Sequence, residues 1–354
     1  EGGTKDVTKT SKGFDARGGG WEAVEDAKLT EPKIWDRTLD VRVAAAVDGE
    51  SGSGEEKSVL DVFRVYLAGK GKPCIVCLHG AGNSAMSWAL VASRLKKKYT
   101  VLSYDLRGHG ASRSLDEAFM SSEQLVEDTV NVIHRSIGED TPFILAGHSL
   151  GGALAVRVAA SKRCRLLGLV IVDVVEGTAL AHLPNMTKIV QNRPNSFQTP
   201  KDAVQWVLKR MWVQNPHSAS LSIPSQLRKE VEVGREDTLP KTNGAEAPTA
   251  KERYVWRTDL LKSEKYWKGW FQGMTEQLIE LRMPKVLVLA GRDRMALDTR
   301  LTVAQMQGKF QMVFVPGSGH SIQEDKPDKM AKVLEDFALR VGAIAKFNKQ
   351  LAKP

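Results

Sequence analysis

The segment Phe143-Ile144-Leu145-Ala146-Gly147-His148-Ser149-Leu150-Gly151-Gly152-Ala153 constrains the fold more tightly than any other part of the chain. An apolar strand runs into a G-x-S-x-G turn and small, helix-compatible residues follow at once, which puts the serine at a sharp strand-to-helix corner. The flanking glycines admit a bend that a Cβ would block, and the bend lifts the hydroxyl above the carboxyl end of the strand. The helix that begins there aims its amide dipoles at the place where negative charge would develop. A serine hydroxyl alone is a weak nucleophile, so Ser149 needs a histidine and an acid from elsewhere. Five residues also match by chance in a glycine-rich chain, so the surrounding segments decide.

They agree with the corner. Phe310 to Pro316 reads as a late strand that runs into Gly317-Ser318-Gly319-His320, a loop that would leave an imidazole exposed, so His320 is the candidate base. Of the other histidines, His79 and His148 belong to glycine turns, His134 to a helix, and His109, His182 and His217 to polar surroundings. Two strands end in aspartate, at Asp173 and at Asp293, and both keep the order serine, acid, histidine of an α/β-hydrolase. The position after the seventh strand is the commoner home of the acid in that fold, which favours Asp293, while Asp173 follows the strand beside the nucleophile. For the oxyanion hole, the early strand Lys72 to Leu78 ends in His79-Gly80-Ala81-Gly82, so the amides of Ala81 and Leu150 are the candidate donors. Asp105-Leu106-Arg107-Gly108-His109-Gly110 closes the fourth strand in the same manner and helps to shape the site.

Strands and helices alternate along the chain, which predicts a mostly parallel central sheet with helices on both faces. Thr38 to Val47 and Ser58 to Ala68 read as opening strands, Ser121 to Ile137 as a helix with a Ser121/Gln124 capping box, and Asp325 to Val341 as the last helix. Residues 1–30, polar and glycine-rich, are expected to form a disordered arm and not a signal peptide. The core is expected over 31–175 and 282–345, split by a helical cap at 176–281 between strands six and seven, with an exposed loop at 232–251. No apolar run approaches the ~20 residues that would cross a bilayer. The net charge of +9 invites a nucleic-acid reading, yet no zinc spacing, RNA-binding signature or basic-aromatic stripe accompanies it. Cys74 and Cys77 form a C-x-x-C, but strand residues three apart face opposite ways, which argues against a metal or redox pair and for reduced cytosolic thiols.

The cap segments are more specific than the elbow. Ile171-Val172-Asp173-Val174-Val175-Glu176-Gly177-Thr178-Ala179, Tyr254-Val255-Trp256-Arg257-Thr258, Glu264-Lys265-Tyr266-Trp267-Lys268-Gly269-Trp270-Phe271 and Gln305-Met306-Gln307-Gly308-Lys309-Phe310-Gln311-Met312 resemble the protein phosphatase methylesterases, and with the elbow the likeness spans about residues 58 to 340. The resemblance implies removal of the methyl ester from the C-terminal leucine of the type 2A protein phosphatase catalytic subunit. That reaction needs no cofactor or metal. It implies Ser149 as nucleophile, His320 as base and Asp173, not Asp293, as acid, and a cytoplasmic location with the nucleus open as well. It also makes Trp256, Tyr266 and Trp270 candidates for a substrate groove, where the residues alone read equally as cap core. Ala81 stands where the family more often has glycine, and the loop at 232–251 replaces the long acidic insertion of some relatives. The rival functions are a general carboxylesterase or lipase on the same fold, and a non-catalytic regulator that binds the phosphatase.

Overall fold

Short segments of strand length, wholly buried in the middle of the set and half-exposed at its edges, build the centre of the molecule. In the computed structural model, which describes residues 34–44, 60–232, 251–291 and 298–351, these segments become eight strands of one sheet. They are β1 (Arg37–Ala44), β2 (Leu60–Ala68), β3 (Cys74–Leu78), β4 (Thr100–Tyr104), β5 (Phe143–His148), β6 (Leu166–Val172), β9 (Lys285–Leu289) and β10 (Gln311–Phe314); β7 (Leu227–Glu232) and β8 (Lys251–Trp256) pair separately. The sheet order is β1-β2-β4-β3-β5-β6-β9-β10. β2 pairs antiparallel with β1 and with β4, and from β4 to β10 every pair is parallel.

Helices cover both faces: α1 (Ala89–Leu95), α2 (Ser122–Ile137), α3 (Leu150–Ser161), α4 (Glu176–Gln191), α5 (Pro200–Lys209), α6 (Pro216–Ser222), α7 (Glu264–Phe271), α8 (Met274–Glu280), α9 (Thr299–Met306), α10 (Ile322–Asp325) and α11 (Pro327–Leu351). Alternation along β3 divides its side chains, Cys74 and Val76 entering the core under α2 and α3, Ile75 and Cys77 the core under α1 and α11. The two thiols thus face opposite ways, as the period of a strand requires, and burial raises both pKa values, that of Cys74 to about 12. Each large apolar side chain so enclosed stabilises the fold by roughly 1.5–3 kcal/mol.

The Ser121 side chain caps α2 by accepting from the Gln124 amide at 3.2 Å, but Gln124 donates to Asp128 instead of closing a capping box. The final helix runs ten residues past Val341, the end expected from sequence. The insertion between β6 and β9 is less helical than expected. It contains the β7–β8 ribbon, held by Arg253–Glu230 and Lys229–Glu252 ion pairs across the strands, and it has its own small core around Phe197, Val204, Val207 and Ile223. Lys251 therefore belongs to a strand, and 233–250, like the N-terminal segment 1–33 and Asp293, lies outside the described residues. The last part of the insertion, α7 and α8, packs on the main core, with Trp267, Trp270 and Phe271 buried in it.

Candidate active site

Ser149 occupies the corner between β5 and α3 with φ 53° and ψ −120°, a backbone conformation that non-glycine residues rarely hold. The neighbouring glycines make it possible. A Cβ on Gly147 would lie 2.0 Å from the Gly151 carbonyl oxygen, and one on Gly151 would lie 2.6 Å from the carbonyl oxygens of Leu78 and His79. The strand end, the helix start and the loop after β3 therefore close to backbone contact, and the Ser149 amide is fixed to the Val172 carbonyl at 3.0 Å.

Asp173 follows β6, beside β5 in the sheet, and also has positive φ, 51°. Its side chain is wholly buried. One carboxylate oxygen accepts from the Ala290 amide at 2.9 Å, and the other accepts from His320 Nδ1 at 2.7 Å. The His320 ring is half exposed on the loop after β10. Asp173, one of the two aspartates left open by the residues alone, hydrogen-bonds the histidine; Asp293 lies outside the described residues.

His148 does more than shape its turn. It donates from Nε2 to the His320 carbonyl at 2.9 Å, and the two rings lie 4.7 Å apart, so the residue before the serine fixes the main chain of the loop that carries His320. Burial and the neighbouring His320 lower its pKa to about 3. Its Nδ1 is buried without a hydrogen-bond partner and faces Gly80, where a Cβ would come within 2.9 Å of it.

The loop after β3 is locked to the loop after β4 by a reciprocal pair of histidines. His79 Nε2 accepts from the Leu106 amide and His109 Nε2 accepts from the Gly82 amide, each at 2.9 Å, while each Nδ1 donates to a carbonyl of its own turn. His109 is thus fully buried, with both ring nitrogens hydrogen-bonded to the main chain. Asp105 adds acceptors for the amides of Ala85 and Ala111. This lattice places Ala81 on the cavity wall near Ser149, and the amides of Ala81 and Leu150 are engaged by no other group among the described residues.

Ser149, Asp173 and His320 open into a cavity of about 430 Å³. Its far walls come from α4, through Leu183, Met186 and Ile189, and from the small core of the insertion. Sequence reasoning missed two polar residues on these walls, His182 and Arg193. No motif marks either one.

None of the three aromatic candidates lines this cavity. Trp270 is 1% exposed and donates its indole N–H to the Met120 carbonyl at 2.6 Å, so the substrate-groove expectation is corrected there: no surface is left to touch a ligand. Tyr266 packs edge-on against Phe119. Trp256 donates to the Pro194 carbonyl and lies against the guanidinium of Arg193, backing the cavity wall without forming it. Among the described residues no cluster of acidic, histidine or cysteine side chains has metal-ligand spacing, and no helix is long and apolar enough to cross a membrane.

Comparison with known proteins agrees with this architecture. Residues 75–333 match the model of the alpha/beta hydrolase family. Among solved structures, E-2-(acetamidomethylene)succinate hydrolase superposes with a TM-score of 0.62 at 18% identity, covering 85% of this chain and 99% of that one, a likeness of fold. Among curated proteins, the probable protein phosphatase methylesterase 1 of Caenorhabditis elegans is 37% identical over 311 residues, 86% of this chain and 77% of its own length. Protein phosphatase methylesterase 1 of Homo sapiens is 35% identical over 336 residues, 87% of this chain and 85% of its own length. Identity at that level over more than four fifths of the chain means that this chain belongs to the protein phosphatase methylesterase family and is an ester hydrolase.

Proposed function

We propose that the chain demethylates the C-terminal leucine methyl ester of the type 2A protein phosphatase catalytic subunit through a Ser149–His320–Asp173 acyl-enzyme. The observation that carries this reading is the 2.7 Å hydrogen bond from His320 Nδ1 to buried Asp173, at the cavity that the strained Ser149 lines. In the mechanism, Asp173 holds the imidazole as the Nδ1–H tautomer, leaving Nε2 to take the proton of Ser149. Ser149 Oγ attacks the ester carbonyl carbon, and the amides of Ala81 and Leu150 donate to the oxyanion, each worth about 3 kcal/mol in the transition state. Collapse breaks the bond to the methoxy oxygen, which takes the proton from His320 and leaves as methanol. Water, deprotonated by His320, then attacks the acyl-serine and frees the carboxylate. The insertion over 176–281 acts as the cap, seated on the core formed by 31–175 and 282–345.

The test uses heavy-oxygen water. Methylated phosphatase incubated with the protein should release methanol carrying ordinary oxygen, and its new carboxylate should carry the label. Label in the methanol would contradict acyl transfer, and no methanol at all would contradict the substrate.

A further inference from the structure

Arg193 lines the same cavity as the nucleophile and has no counterion among the described residues. It follows α4, and its guanidinium lies over two indoles, 5.2 Å from the Trp212 ring centroid and 5.1 Å from that of Trp256. The two indoles are braced by other rings. Trp206 packs edge-on against both Trp212 and Trp256, and Phe197 packs edge-on against Trp256. The Nε of Arg193 is buried with no partner, and among the described residues no group accepts a hydrogen bond from any of its guanidinium nitrogens. Burial lowers its pKa to about 10.

Arg193 is half-buried and its Nε is fully so, and a charge partly withdrawn from water with no ion-pair partner is costly. A guanidinium held against aromatic rings, with its terminal nitrogens unpaired, suits a carboxylate, which it can grip in two parallel hydrogen bonds. The loop that carries Ala81 connects Arg193 with the nucleophile: a Cβ on Gly80 would lie 3.1 Å from Ser149 Cβ, and one on Gly82 would lie 3.5 Å from Arg193 Nη2. An extended peptide advances about 3.3 Å per residue. An ester carbonyl at Ser149 thus leaves Arg193 within reach of a side chain a few residues back along the same tail.

We infer that Arg193, held over the rings of Trp212 and Trp256, is an anion subsite that binds the carboxylate of an acidic side chain a few residues before the ester. The inference rests on the proposed reading that a peptide tail enters the cavity. The subsite adds a requirement on sequence to the requirement for an ester, and it gives the tail a second fixed point that sets the register of the carbonyl at Ser149.

The test separates binding from reaction. Peptides ending in leucine amide, which the enzyme cannot turn over as esters, carry one aspartate or one asparagine at each of the second to fifth positions from the end. Their affinities for the full chain are measured by calorimetry. At one position aspartate should bind at least about tenfold more tightly than asparagine, equivalent to about 1.4 kcal/mol. In Arg193→Gln the two should bind within about twofold, and Arg193→Lys, which keeps the charge but not the fork, should fall between. Both variants are checked for cooperative unfolding. Should neither fold, the comparison in the unmodified protein still decides. Equal binding of aspartate and asparagine at every position overturns the inference and makes Arg193 a structural clamp for the two tryptophans. A preference that persists in Arg193→Gln overturns it as well. Hydrolysis of methylated phosphatase by the same preparation is followed in parallel, so a failure of the substrate reading is seen separately from a failure of the subsite.

Discussion

Among the described residues Asp173 accepts from the Ala290 amide with one oxygen and from His320 with the other. Asparagine in its place offers only one acceptor oxygen, so it forfeits one bond or the other and loses the charge that would stabilise the imidazolium. Asp173→Asn should lower kcat by about 10⁴-fold, by the behaviour of triads that lose the charge of their acid. Asp293→Asn should cost far less, and steady-state rates of the two variants on one ester will tell them apart; the reverse ranking would move the acid to the strand after the insertion. At this scale legibility follows local pattern. Ser149 was legible because an elbow needs glycines at fixed offsets, and His320 because a strand ran straight into its loop. Pattern alone favoured Asp293, and only the resemblance to the methylesterases chose Asp173, since which strand end faces a histidine is a matter of sheet order and loop path. Arg193 was not legible at all: its cavity forms from segments far apart in the chain, Gly82, Trp212 and Trp256 among its neighbours.

The loops after β3 and β4 form one cross-braced element, and it depends on neutral imidazoles. A protonated His109 has no lone pair for the Gly82 amide, and burial lowers its pKa to about 4. An ordinary histidine in the unfolded chain titrates near 6.5. Between those values the unfolded state takes a proton that the folded state refuses, so the contribution is complete above about pH 6.5 and is lost as pH falls towards 4, at up to about 1.4 kcal/mol per pH unit. Glu324, raised to about 8 by burial, has the opposite sign, because its folded form keeps a proton that the unfolded chain loses. His109→Gln, which keeps an acceptor for Gly82, isolates the histidine: denaturant midpoints from pH 7 to 5 should fall less in the variant than in the unmodified protein. Parallel curves would mean that His109 carries no such linkage. The sheet and its helices were legible from period and length. The β7–β8 ribbon was not, because its strands are highly charged and pair mainly with each other. The spacing Trp267, Trp270, Phe271 is that of a helix stripe, and the core explanation of Trp270 was available from it.

The molecule places Ser149 and His320 on a cavity of about 430 Å³ whose other walls come from the insertion, and surrounds it with far more protein than a methyl ester needs. Net charge, +9 over the chain, favours approach to an acidic partner surface. Contacts remote from the reacting carbonyl can then align the tail. kcat/KM on the intact methylated phosphatase should exceed that on its isolated methylated C-terminal peptide by at least about tenfold, or ~1.4 kcal/mol. Equal values would mean that the enzyme recognises the tail alone. The most direct measurement of the central claim is loss of the methyl group from the intact methylated phosphatase catalytic subunit, followed with the unmodified protein and with Ser149→Ala. The account requires complete demethylation by the former and none above background by a folded Ser149→Ala; methyl loss at a comparable rate with the variant, or none with the unmodified protein, would contradict it.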